Sequence, residues 1–179
     1  MTLVVLALIG ALQTSASSDA FLARCDLQGL YDEMASAAIA SKSARDIDMF
    51  HDVFYDASWA FIDAQKQRHD WSEMRQRRID ELQQPLPETI RLAIDSVTTT
   101  PTGATALVHL ITVRRVTDAD GRYGRPGLVH TIAETTPVRD TWIRSGSAWR
   151  LRLREQLGAP AVLIDKLPAE IENPRCPTH

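Results

Sequence analysis

Histidines, carboxylates and aromatic side chains are the groups in this chain that could do chemistry, and their spacing limits what each can do. His130 and Glu134 share one face of a predicted strand, yet residues four apart on a strand stand about 13 Å apart, beyond hydrogen-bond reach. To serve as a general acid or base, His130 needs a partner from a neighbouring strand, such as His109 or Asp140. An ordinary cross-strand pair is the alternative. Tyr55, Trp59, Trp71 and Trp142, together with His109, could line a pocket for a flat apolar ligand or simply fill a core. Asp63 stands just before Gln65-Lys66-Gln67-Arg68 and is suited to starting a turn there. There is no glycine-rich phosphate loop, no Gly-x-Ser-x-Gly elbow and no His-Glu-x-x-His helix. The histidines lack zinc-site spacing relative to the cysteines, so neither metal nor cofactor is expected.

Positioning these groups falls to a helical first half and a stranded second half. Leu27, Leu30, Tyr31, Met34 and Ala38 recur at helical spacing and predict an amphipathic helix over 26–41. The polar break 41–45 ends it, and Asp46 can cap a shorter helix with Ile47, Phe50, Val53 and Phe54 inward. Ala57–Asp63 reads as a short strand, followed by a turn and a second short strand ending near Asp70; helix is the alternative for this segment. Asp70-Trp71-Ser72-Glu73 has capping-box spacing, with Asp70 as N-cap and Glu73 reaching back. Trp71, Met74, Ile79 and Leu82 then form a helix that Pro85 and Pro87 stop.

From Glu88 the period becomes two. Ile90, Leu92 and Ile94 alternate with Arg91, Ala93 and Asp95. The strand over 104–116 is apolar on both faces, with Leu107, Ile111 and Val113 opposite Ala106, Val108 and Leu110. Both faces need cover, from a second subunit or from the apolar tail 159–167. A long loop over 118–127 leads into a strand over 128–144, where Pro137 marks a bulge or an edge. After a turn at Ser145-Gly146-Ser147, the last strand alternates without a break. Trp149, Leu151 and Leu153 read as its dry face, and Arg150, Arg152 and Arg154 as its wet one. Alternating arginines also discourage edge-to-edge pairing.

The 179 residues bound one domain, and the 44% hydrophobic content suffices for a real core. A net charge of −3 gives no reason to expect a nucleic-acid partner. The apolar run 3–12 is too short to span a bilayer and fits the core of a secretory signal, with cleavage after Ala16 or Ala20. A buried N-terminal helix or strand is the alternative. The division is then a signal over 1–20, a folded domain over 26–158 and a tail over 159–179, with the mature protein secreted or periplasmic and not held in a membrane. Cys25 and Cys176 flank the folded pattern, and in an exported protein an even count points to a disulfide. Closing that loop would add roughly 5 kcal/mol through chain entropy. Two unrelated thiols are the alternative.

The element order is helix, short helix, short hairpin, helix and four antiparallel strands. With it go Ala44-Arg45-Asp46-Ile47-Asp48, Phe54-Tyr55-Asp56 before Ala60-Phe61-Ile62-Asp63, and the stretch Trp142-Ile143-Arg144-Ser145-Gly146-Ser147-Ala148-Trp149-Arg150-Leu151. Over Leu27 to about Leu157 this resembles the nuclear transport factor two-like superfamily, which includes SnoaL-like cyclases and ketosteroid isomerases. The resemblance implies an α+β fold in which a curved antiparallel sheet wraps around the N-terminal helices as a cone with an open mouth. It also implies an apolar pocket in that mouth and a dimer through the convex face. Asp63 falls where the isomerases carry their general base, at a pocket mouth that would raise its pKa by desolvation. Ala38 falls where they carry the tyrosine that donates to the oxyanion, which counts against steroid isomerisation.

The expectation is an exported, homodimeric cone domain whose apolar pocket binds a small hydrophobic ligand or a protein partner without chemistry. One alternative is a cofactor-free isomerase, cyclase or dehydratase using Asp63 or His130 as general acid/base. A further alternative is a dimerisation or assembly module.

Overall fold

The structure, a computed structural model, describes residues 4–169 and Cys176, with side chains from residue 19 onward. The side chains of the expected leader, the cleavage position at Ala16 and most of the extended tail end lie outside the described residues. Helix α1 (Val4–Ala40) is one continuous helix of 37 residues, longer than the expected 26–41. Good helix formers fill it and no proline interrupts it. Its inward stripe is Ala23, Leu27, Tyr31, Met34 and Ala35. Among the described residues no helix is long and apolar enough to cross a membrane.

Helix α2 (Ala44–Phe54) is capped by Ser43 and not by Asp46. Ser43 Oγ accepts the Asp46 N–H at 3.2 Å, and the Asp46 carboxylate accepts from the Ser43 hydroxyl at 2.8 Å and the Lys42 N–H at 3.0 Å. Asp46 therefore reaches back across the cap that Ser43 opens, to the residue before it. Ile47 and Phe54 are buried; Val53, expected inward, is exposed because it lies about 100° around the helix from Phe54. Strands β1 (Tyr55–Ile62) and β2 (Arg68–Asp70) form a short antiparallel hairpin. Helix α3 (Trp71–Glu81) follows, with Asp70 Oδ1 accepting the Glu73 N–H at 3.0 Å. The Glu73 side chain does not reach back as expected; His69 and Arg77 hold it instead.

The remaining strands are β3 (Thr89–Thr100), β4 (Gly103–Thr117), β5 (Val129–Ser145), β6 (Ala148–Gln156) and β7 (Ala161–Ile164). Their spatial order is β2-β1-β6-β5-β4-β3, with β7 beside β5. Every pairing is antiparallel except β1 with β6. Gly103 is required where β4 starts, because a Cβ there would meet the Trp142 carbonyl oxygen at 2.1 Å. Inside the curved sheet, Leu27, Tyr31 and Met34 pack against Leu92, Ile94, Ala106, Val108, Trp142 and Leu151. Across the same interface Arg24 and Gln28 of α1 donate to the Ile94 and Leu92 carbonyls. Cys25 and Cys176 are joined by a disulfide, tying the tail to α1.

Within the described tail, β7 does not lie across the sheet but joins it in plane. Strand β6 leaves β5 at Gln156, and β7 takes over along the same edge opposite Ile132–Thr135. The backbone groups of β5 beyond β6 need partners, and β7 supplies them in the plane of the sheet. Pro137 sits at the gap. Its carbonyl accepts the Leu157 N–H at 2.9 Å, so its missing donor falls where no strand pairs.

The unbroken alternation expected of β6 fails at a bulge. Thr141 pairs Leu153 and Trp142 pairs Leu151, which leaves Arg152 unmatched. One extra residue inverts the faces beyond it. Trp149 and Leu151 turn inward, but after Arg152 it is Arg154 that turns in while Leu153 turns out.

Candidate functional site

Between α1, α3 and the concave face of the sheet lies a cavity of about 270 Å³. Met34, Ala35 and Ala38 line it from α1, Phe50 from α2, and Trp71, Met74 and Arg78 from α3. Tyr55, Trp59 and Phe61 of β1 form the side wall, and Leu92, Leu110 and Arg154 close it from the sheet. Tyr55 stacks flat on Trp59, with centroids 4.5 Å apart and planes 4° from parallel. Trp71 meets both rings edge-on at 6.0 Å, and His51 stacks on Trp71 at 4.2 Å. Such edge-to-face and offset contacts fix ring orientation. The Trp59 indole N–H is buried and makes no hydrogen bond.

Under this lining runs a buried polar network. Arg154 grips Asp140 with two hydrogen bonds, Nε to Oδ1 at 2.8 Å and Nη2 to Oδ2 at 2.6 Å. The Tyr31 hydroxyl donates to Asp140 Oδ2 at 2.8 Å and accepts from Trp142 Nε1 at 2.9 Å. Asp140 is fully buried and the Arg154 side chain is 12% exposed. Burial opposes the Arg154 charge, but the charge and hydrogen bonds of Asp140 outweigh it and hold the guanidinium pKa above its ordinary value. Burial, reinforced by the Asp140 charge, pushes the Tyr31 phenol well above its ordinary value. With both Asp140 oxygens and the Tyr31 hydroxyl engaged, the network fixes the floor of the cavity as a rigid surface.

The residues singled out from the sequence divide. Tyr55, Trp59 and Trp71 line the cavity; Trp142 lies beneath it, engaged with Tyr31. His109 is on the outer face, where Nε2 meets Asp95 Oδ2 at 2.9 Å, because inward positions on β4 fall on even numbers. Asp63 does not line the cavity. It ends β1 and caps the following turn through the Gln67 N–H at 2.8 Å, and it pairs with His69 Nε2 at 3.0 Å. The His69 hydrogen bond, then those from the backbone, hold its carboxyl below the ordinary value, opposite to the expected shift. His130 lies at the far hairpin end, with Nδ1 2.7 Å from Asp165 and Nε2 3.9 Å from Asp118. Glu134 is taken by Arg114 at 2.8 Å. Neither candidate acid/base group is therefore on the cavity wall. Ala38 lines the cavity, and the tyrosine of this helix stands at Tyr31, bonded to Asp140.

Arg154 and Asp140 are the polar pair that sequence reasoning missed as a site. One sign was available: Asp140 shares parity with Trp142 and Val138, and a carboxylate on a buried face demands a cation. The bulge that supplies Arg154 leaves no mark in Arg-Leu-Arg-Leu-Arg. Among the described residues, no cluster of histidine, cysteine and carboxylate groups could hold a metal ion. A larger hollow of about 430 Å³ beside Thr105, Thr141 and Arg152 is on the outer face.

The order of elements and the curved sheet around them form an α+β cone, the architecture that the resemblance to the nuclear transport factor two-like superfamily implies. Several solved structures are similar to it. A candidate calcium/calmodulin-dependent kinase II association domain from Exiguobacterium sibiricum shares 16% identity at a TM-score of 0.39, covering 75% of this chain and 90% of its own. An NTF2-like protein of unknown function in nutrient uptake from Rhodospirillum rubrum shares 15% at 0.37, covering 73% and 97%. AclR, a candidate hydroxylase from Streptomyces galilaeus, shares 6% at 0.35, covering 75% and 79%. At these values the likeness carries no argument about this chain. No protein-family profile and no curated protein matches the chain.

Proposed function

We propose that the cavity binds a small, largely apolar molecule and that the domain acts by binding rather than by chemistry. One observation carries this reading: an aromatic and aliphatic hollow of about 270 Å³ with a rigid polar floor. Binding pockets combine such apolar walls with a few convergent polar groups. The acid/base reading loses support because Asp63 is tied to His69 and His130 to Asp165, both outside the lining. Native mass spectrometry of the purified chain is expected to show a retained small molecule, released on Leu110→Trp, which fills the hollow. A chain that retains nothing and whose tryptophan fluorescence ignores every apolar compound offered would overturn the reading.

Export and self-association belong to the same proposal. The apolar run 3–12 and the Cys25–Cys176 bond support an oxidising compartment, because such bonds persist there. N-terminal sequencing of the mature chain is expected to begin after Ala16 or Ala20; a start at Met1 speaks against export. Leu107 and Val113 are half-buried on the outer face, beside Ile111, which is buried within the chain, and these two support a homodimer through that face. Sedimentation at several concentrations tests it, and a monomer throughout would end it.

A further inference from the structure

The cavity wall holds two cations, and each is already matched. Arg78 pairs with Glu81 at 3.0 Å, and both are lining residues. Arg154 is matched by Asp140, which takes Nε and Nη2. The third guanidinium nitrogen, Nη1, has no protein hydrogen bond among the described residues. Arg154 lines the hollow, so its floor offers an N–H donor without a surplus positive charge. A carboxylate entering here would have to shed its water and approach Asp140 with no unmatched cation to receive it, which is costly in a dry site. A neutral acceptor meets neither obstacle. The stacked pair Tyr55–Trp59 forms a flat wall, which favours a planar partner. At about 270 Å³ the hollow is below the usual range for drug-sized ligands, roughly 300–1,000 Å³, so one or two rings fit.

We propose that the ligand class is a small, planar, uncharged carbonyl compound whose oxygen accepts from Arg154 Nη1 while its rings lie along Tyr55 and Trp59. This rests on the cavity being a ligand site. Asp140 is the specificity-determining residue: by neutralising Arg154 it turns an anion receptor into a single donor for a neutral oxygen.

Three probes on one ring system test this on the full, disulfide-bonded chain: 2-acetylnaphthalene, 2-ethylnaphthalene and 2-naphthoate, titrated by calorimetry at neutral pH. The ketone is expected to bind about 10- to 100-fold more tightly than the ethyl compound, the range for a hydrogen bond to a charged donor. It is also expected to bind at least about 10-fold more tightly than the carboxylate, which bears an uncompensated charge. Equal binding of ketone and ethyl compound would remove Arg154 from recognition and leave the cavity reading intact. Tightest binding by naphthoate would overturn the neutral-ligand inference alone. No binding by any of the three would overturn both. Asp140→Asn, checked for folding by near-ultraviolet circular dichroism, sharpens the result: naphthoate affinity is expected to rise about 10-fold while ketone affinity holds. The comparison of probes on the unaltered chain decides the matter even if that variant does not fold.

Discussion

Arg154 on Asp140 beneath the cavity and His69 between Asp63 and Glu73 beside it are built from similar groups in different surroundings. In the first, Asp140 is fully buried and its partners come from other elements, Arg154 on the next strand and Tyr31, 109 residues away, on α1. In the second, His69 meets Asp63 at 3.0 Å and Glu73 at 2.8 Å, both close in sequence and with the Glu73 side chain 48% exposed. The difference is what happens when a member is lost. Although His69 is itself buried, water can reach its Glu73 partner, whereas none can replace a partner of Asp140.

The contrast breaks most visibly at Asp140. Asp140→Ala strands a buried guanidinium and is expected to cost about 3–5 kcal/mol in denaturant unfolding. The double change Asp140→Leu with Arg154→Met should recover most of that loss, since an apolar pair removes both charges together. A double variant as unstable as the single one would show that the stranded charge of Arg154 is not what the single change costs. Next in size is Tyr31→Phe. It leaves Trp142 Nε1 without its acceptor and Asp140 with one donor fewer, at about 1–3 kcal/mol.

The rim cluster should show a smaller effect with a distinct pH signature. The Asp63 and Glu73 hydrogen bonds raise the His69 pKa above its ordinary 6.5. Its contribution is therefore whole below 6.5 and fades as pH climbs through the raised folded value. Asp63 and Glu73, lowered first by the His69 hydrogen bond, contribute fully above their ordinary 3.8 and 4.5 and lose this as pH falls through their folded values. The stability difference between the unaltered chain and His69→Gln should then be greatest between pH 4.5 and 6.5 and shrink on either side. Over the same interval Arg154 stays charged and Tyr31 stays protonated, so neither gives the floor network such a window. A pH-independent His69→Gln difference would refute the rim assignment. Smallest of all is Asp48→Asn, which loosens an exposed pair with Arg75; its effect should vanish in high salt, as screening predicts.

The start of α3, the inward stripe of α1 and the aromatic wall were legible because their causes are local, whereas the start of α1, the cap of α2 and the period of β6 were not. The Asp70 cap lies three residues from its donor, and the spacing of Leu27, Tyr31 and Met34 declares a buried helix face. Tyr55, Trp59 and Trp71 drew notice through residue type and proved to share the cavity. The expected sites at Asp63 and His130 were less secure, since an isolated carboxylate or imidazole does not announce its neighbours. Asp63 turns toward His69, and His130 toward a tail residue 35 positions away.

By itself, the amino-acid order determined most of the segments that coil or extend between residues 26 and 157, because these follow from spacing along a few turns or pleats, while the bent sheet was what the resemblance implied. Only the tertiary structure decided that Arg154 would turn inward onto Asp140. A bulge at Arg152 sets the phase of that strand, and a bulge arises where one strand must match the register and curvature of its neighbours.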